Sequence, residues 1–241
     1  MYVDINPLIL FYIDYSVFDV PQSSLRENVE LGNAKVFGFQ HTKLDHGKSF
    51  GWKKSGAVMV DMHFWDEYAT YFVSFAVVDW IDVFTRNYYR EIVVNSIKYC
   101  IDNKGLRVHG WVLMTNYVHL LISMSHGNKL TFSDIMRDMK KYTAMQVIKS
   151  IRENPQESRK EWLLYMFGRN GRSNSNNTNF QFWRQDNHPI QIKDEKQFSN
   201  SLEYIHNNPV NAGFTDEASA YPWSSAKDYI GKKGLVPISI M

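Results

Sequence analysis

The sequence predicts an α+β fold, an antiparallel four-stranded sheet with helices on one face, and three observations predict it. A strand-like alternation, YATYFVSFAVV, begins at Tyr68 and gives way to helical spacing through Tyr89, Ile92, Val93, Ser96, Ile97 and Ile101. Two further apolar, β-prone runs, residues 107–115 and 117–124, meet at Thr115-Asn116, a connection so short that it requires an antiparallel hairpin. A capping box, Thr131-Phe-Ser-Asp134, then opens a long helix that runs to about Glu153 and is stopped by Asn154-Pro155.

The first 65 residues change character several times, from PLILFYIDY through NVELGNAKVFGF to HTKLDHGKSFGWKKSG, with no sustained periodicity and no motif. The apolar run from Pro7 to Ile13 is short, lacks preceding basic residues and is closed by Asp14, so it reads as neither a signal peptide nor a membrane span, and a cytoplasmic location is expected. The first helix ends at Gly105. After Glu153, residues 156–179 begin charged and end in GRNGRSNSNNTN, which is too poor in apolar side chains to bury a core and reads as a mobile loop. The two arginines of the GRNGRSNSNNTN run are candidates for phosphate contact. FQFWRQDNHPIQI reads as an edge strand because Pro189 has no N–H to donate to a ladder. A helix over residues 196–207 follows, and NNPVNAG terminates it. From 68 to 208 the order is β, α, β, β, α, β, α, which fits a ferredoxin-like sandwich.

With 241 residues, 44% of them hydrophobic, the chain suffices for one large domain or one domain with an appendage. A formal charge of +2 is too small to diagnose nucleic-acid binding, so any basic surface must come from local clustering. Seven Trp, fourteen Tyr and fifteen Phe suit base stacking and core packing alike, the second being the role of most. The single cysteine, Cys100, excludes an intramolecular disulfide and reads as a core thiol.

His119 stands alone among Val118, Leu120 and Leu121. A ring so placed is hydrogen-bonded, metal-bound or catalytic, because an unpaired buried polar ring costs a few kcal/mol.

Four ordered segments carry a resemblance: TNYVHLLISM at 115–124, DIMRDMKKYT at 134–143, FWRQDNHPI at 182–190, and YIHNNPVNAGF with YPWSSAKDY within 204–229. Over residues 66–230 they resemble the REP-associated tyrosine transposases, a bacterial branch of the single-tyrosine HUH nucleases. The resemblance implies a ferredoxin-like domain that cuts single-stranded DNA near hairpins. A tyrosine attacks phosphorus, giving a 5′-phosphotyrosine and a free 3′-hydroxyl. It also implies a divalent cation, Mg²⁺ or Mn²⁺, held by two histidines separated by one hydrophobic residue. Spacing i, i+2 puts both on one strand face.

Here the first of those positions is Tyr117, in the triplet Tyr117-Val118-His119. A neutral phenol is a poor ligand for such an ion, so the metal site is expected to be weakened. By the resemblance Tyr142 is the candidate nucleophile, with Gln146 one turn on completing the metal shell. Two alternatives stand beside this. Tyr142 lies on the stripe Ile135, Met139, Tyr142, Gln146 and suits a core aromatic, and a shifted alignment puts Thr143 in the nucleophile's place. Arg137, Lys140, Lys141, Lys149 and Arg152 make the same helix basic and are expected against phosphate, the plainer reading being a solvated face. Arg184 is a further nucleic-acid contact, near His188 and a Trp183 that suits the core. Tyr204, His206, Asn207, Asn208, Pro209 and Gly213 read as structural, and residues 221–225 as packing the tail against the domain.

The expected organisation is an unmatched extension over 1–65, a transposase-like domain over 66–230 and a short tail over 231–241. The extension is accessory, or lies upstream of a true start near Met59 or Met62. Two functions follow: a transposase-like endonuclease and strand transferase acting on single-stranded or hairpin DNA, or a degenerate relative that binds structured DNA with weak or no cleavage. No membrane partner is expected, and both monomer and homodimer are compatible.

Overall fold

The computed structural model describes residues 64, 66–173, 179–185 and 189–240. The expected extension, apart from Phe64, and His188 lie outside the described residues. In chain order the elements are β1 (Thr70–Ala76), α1 (Asn87–Lys104), β2 (Leu106–Leu113), β3 (Tyr117–Met124), α2 (Phe132–Glu153), α3 (Lys160–Arg172), β4 (Ile190–Ile192) and α4 (Glu195–Asn211). The strands form one sheet in the order β2-β3-β1-β4, every pairing antiparallel. This is the predicted ferredoxin-like order, in which β3 is inserted between β1 and β2.

Local sequence explains most boundaries. Gly105 ends α1 in the left-handed conformation at φ 68°, which costs glycine nothing. The capping box at α2 forms as read: the Asp134 N–H donates to Thr131 Oγ1 at 3.1 Å, and the Thr131 N–H donates to the Asp134 carboxylate at 3.4 Å. Thr115-Asn116 is a weak turn by composition, and tertiary bonds hold it. The Phe84 N–H donates to Thr115 O and the Val77 N–H to Asn116 O, both at 2.8 Å. Cys100 is buried, as expected, and burial pushes its thiol up to about 11.

Strand alternation divides the sheet into two faces. Tyr71, Val73 and Phe75 stand opposite Ile122, Leu120 and Val118 on one of them. There Phe132 of α2 packs on Tyr71 at 5.2 Å, and the Lys140 ammonium lies over Phe75. On this face α1 and α2 form the expected helix layer. The second face carries Phe72, Ser74, His119, Leu121 and Gly110, and α4 lies across it. A Cβ on Gly110 would stand 2.6 Å from Leu202 Cδ1 of α4, so the bare glycine lets the helix settle onto β2.

Three expectations are corrected. Residues 160–172 are helical rather than loop, because Leu163, Phe167, Gly168 and Gly171 form a buried stripe that outweighs the weak propensity of the Gly and Asn positions. Gly171 is required by contact: a Cβ there would lie 2.7 Å from backbone atoms of Asn179 and Phe180. Helix α4 runs through Pro209 to Asn211 instead of stopping before it. Among its described residues, the predicted strand over 180–192 reduces to β4 and an isolated bridge between Trp183 and Val77. Beyond α4, the Leu113 N–H donates to Trp223 O, and the Ser225 and Ser239 N–H groups donate to Trp111 O and Val108 O, each at 2.8–2.9 Å. The C-terminal stretch, including the expected tail, thereby covers the outer edge of β2.

Glu157 ties the start of α1 to the α2–α3 junction. Its buried carboxylate accepts from Arg86 Nε at 2.9 Å, the Tyr89 hydroxyl at 3.1 Å and the Arg159 N–H at 3.1 Å. Burial raises its pKa, but these donors and the charges of Arg86 and Arg159 outweigh burial and hold it below the usual range. The contribution is therefore full above the ordinary carboxylate pKa of about 4.3 and is lost as pH falls through the lower folded value. Glu157→Ala, which also strands the Tyr89 hydroxyl, is expected to cost roughly 2–4 kcal/mol in denaturant unfolding at neutral pH.

Candidate functional site

Period-two alternation sends Tyr117 and His119 to the face under α4, opposite Ala76 and Ser74 of β1. Asp194 caps α4 by accepting from the Gln197 N–H, and Tyr204 and Asn208 stand one turn apart on it. The Tyr117 hydroxyl donates to Asn208 Oδ1. His119 sits among three rings, with centroids 5.2 Å from Phe72, 4.8 Å from Tyr117 and 5.5 Å from Tyr204. It is 0% exposed, and neither ring nitrogen has a hydrogen-bond partner among the described residues. Burial lowers its pKa to about 3, so the ring is neutral near pH 7. Burial likewise raises the Tyr117 phenol, and the neighbouring Tyr204 and Tyr221 add to the rise.

This donor set does not fit Mg²⁺ or Mn²⁺. It offers one neutral imidazole, two phenols and an amide oxygen already engaged by Tyr117, whereas those ions favour charged oxygen ligands and retained water. Among the described residues no three His, Cys, Asp or Glu side chains are grouped to hold a metal.

The structure does not bring the predicted nucleophile to His119. Tyr142 is 53% exposed on α2, and Gln146 is half-buried on the same helix, so the sheet stands between both and His119. Thr143 is a packing residue: its hydroxyl donates to Met139 O at 2.7 Å and accepts from Trp183 Nε1 at 2.9 Å. The phenol beside His119 belongs to Tyr204, and the amide one turn on belongs to Asn208. The sequence alone assigns both a structural role. The available signal was an asparagine on the buried stripe of α4, with Ser201, Ile205 and Pro209.

The basic residues divide. Arg137 is paired with Asp134 at 2.8 Å and Asp138 at 3.1 Å on its own helix. Lys140 donates to Arg184 O at 2.8 Å, and the Arg152 guanidinium lies 5.6 Å from the Phe180 ring centroid. Lys141 and Lys149 are exposed. Trp183 is buried, and the Arg184 guanidinium lies 4.9 Å from the Trp80 ring centroid.

One family model and one solved structure agree with this architecture. Residues 69–168 match the family model described as transposase IS200 like. A solved REP-associated tyrosine transposase bound to a REP hairpin is similar at TM-score 0.51 and 17% identity, over 74% of this chain and 88% of that one. A crystallised transposase-like protein from Deinococcus radiodurans aligns at TM-score 0.36 and 14% identity, over 62% of this chain and 97% of that one. No curated protein matches in sequence.

The orphan nitrogens of His119 set an expectation. His119→Leu should raise stability at neutral pH by about 1–3 kcal/mol, because it removes buried polar atoms that lack partners. The wild-type ring stays neutral when folded, while in the unfolded chain it takes a proton below about 6.5. Its effect on stability is thus flat above that pH and increasingly unfavourable as pH falls toward 3. Unfolding midpoints between roughly pH 6.5 and 5, above the carboxylate range, should therefore fall less in the variant.

Proposed function

We propose that this chain, whose residues 69–168 match the IS200-like transposase family model, binds single-stranded or hairpin DNA without cutting it. The observation that carries the second half is the Tyr117–Asn208 hydrogen bond, which closes the place where the family resemblance sets a metal ligand. Three observations support the first half: the IS200-like match, a fold likeness to a transposase bound to a REP hairpin, and the exposed Lys141 and Lys149. Lysines of this kind supply the sequence-independent, salt-sensitive part of affinity.

Cleavage by a tyrosine asks much of its surroundings. A phenol of pKa about 10 must lose its proton, and negative charge must be offset as the phenolic oxygen bonds to phosphorus and the 3′-oxygen departs. Around Tyr204 stand His119, a very weak base when buried, and Tyr117, a neutral phenol. Neither offsets the charge.

A second reading, a working tyrosine nuclease, is favoured by one observation, the 5.5 Å between the Tyr204 and His119 rings. In it Tyr204, not Tyr142, forms the phosphotyrosine and a free 3′-hydroxyl leaves.

Purified protein mixed with end-labelled hairpin and single-stranded DNA plus Mn²⁺ separates the two. The expected result is a salt-sensitive complex without a denaturant-resistant adduct. Tyr117→His should gain an adduct, and Tyr117→His with Tyr204→Phe should lose it again. An adduct in the wild-type protein that vanishes in Tyr204→Phe establishes the nuclease, and no binding at low salt removes both readings. Replacing Lys141 and Lys149 together with Ala should flatten the log–log salt dependence by about 2, from roughly 0.9 per phosphate contact.

A further inference from the structure

After β1 the chain turns through Val78, Asp79 and Trp80, and two successive non-glycine residues take the left-handed conformation, Asp79 at φ 53° and Trp80 at φ 55°. Side chains with a Cβ rarely accept this backbone, and bulky ones least, so surrounding structure must hold it. The Val78 N–H donates to Phe182 O at 2.8 Å, and the Asn116 amide donates to Trp80 O at 2.9 Å. The Asp79 carboxylate accepts from the Arg169 guanidinium and the Asn170 amide, each at 2.7 Å.

The strained turn delivers an indole that is 38% exposed, beside a cavity of about 470 Å³. That volume lies within the roughly 300–1,000 Å³ of small-molecule sites. Asp79, Asn170, Gln181, Arg184 and Gln185 line it with Trp80, and the Arg184 guanidinium lies 4.9 Å from the indole centroid. The Lys140 ammonium and the Ala76 carbonyl fix the Arg184 backbone, each through a bond of 2.8 Å.

The chemistry of this lining selects its occupant. An indole face and a guanidinium plane suit a flat aromatic ring. Primary amides, which both donate and accept, suit a ring with a polar edge. The lining is too polar for an apolar ligand. On α3, which supplies Asn170, exposed Trp162, Tyr165 and Arg172 lie at helical spacing, the aromatic and basic mixture that tracks a single strand.

We infer that the Trp80–Arg184 cavity is a subsite for one unpaired nucleobase of the bound DNA, stacked on Trp80. The subsite rests on the DNA-binding reading above, and it is separate from the centre on β3.

Fluorescence anisotropy tests it with two labelled probes, a DNA hairpin carrying a single-stranded arm and the same hairpin trimmed blunt. Trp80→Gly should weaken binding of the armed probe roughly ten- to hundred-fold and leave the blunt probe unchanged. Its melting temperature should hold or rise, because glycine takes the left-handed backbone freely. Trp80→Phe should retain most of the affinity for the arm. Unchanged affinity for the armed probe in Trp80→Gly overturns the subsite, as does an equal loss on both probes with a lowered melting temperature, which marks a structural residue. Wild-type protein that binds neither probe overturns the DNA-binding reading itself.

Discussion

The parity of strand β3 governs the molecule. Even-numbered residues Val118, Leu120 and Ile122 enter the core beneath α1 and α2, which fixes Tyr117 and His119 on the other face. A shift of one residue would exchange the two sets and bury the polar rings beneath the wrong helices. Everything said of the candidate centre follows from that register, including the separation of α2 from it. No rearrangement of side chains alone carries Tyr142 through the sheet to His119.

The second consequence is thermodynamic. In a plain two-layer sandwich the second face of the sheet meets water, but here α4 covers it and the C-terminal stretch closes the edge of β2. His119 has therefore become a core residue with a core residue's acid–base behaviour, neutral and 0% exposed. The Tyr117 hydroxyl donates a hydrogen bond to Asn208 Oδ1, and the bond holds α4 onto β3. The same atoms in an open site would face solvent and ligands. Under α4 they act as packing, and their remaining polarity is a cost to be satisfied locally.

The sheet order, the hairpin and the capped α2 were legible in the sequence because each rests on short-range patterns, whereas Tyr117 stood out only against the family resemblance. The partner of His119 was not legible. Tyr204 lies far along the chain from His119, and its approach depends on α4 folding over the face opposite to α2, which local periodicity does not encode. The helical state of residues 160–172 was hidden for a related reason: glycine and asparagine lower propensity, and only contact with Phe180 shows why Gly168 and Gly171 belong there. The strained pair Asp79-Trp80 left no sequence signal either, since neither residue type announces a left-handed turn.

Binding and chemistry sit on different parts of this fold. The β3 centre depends on the sheet interior, where the Tyr117 phenol is held by a hydrogen bond to Asn208. The Trp80 turn and the outer face of α3 lie outside that interior, held by Asn116, Arg169 and Asn170 rather than by anything on β3's second face. On the proposed reading, a change at Tyr117 alters the centre without loosening the surface that would hold a strand. Strain supplies the counterpart: two left-handed residues persist at the turn because bonds from three other segments hold them, which is costly to maintain for a loop with no ligand to position. A closed centre beside a strained, aromatic and basic surface is the arrangement that the DNA-binding proposal requires.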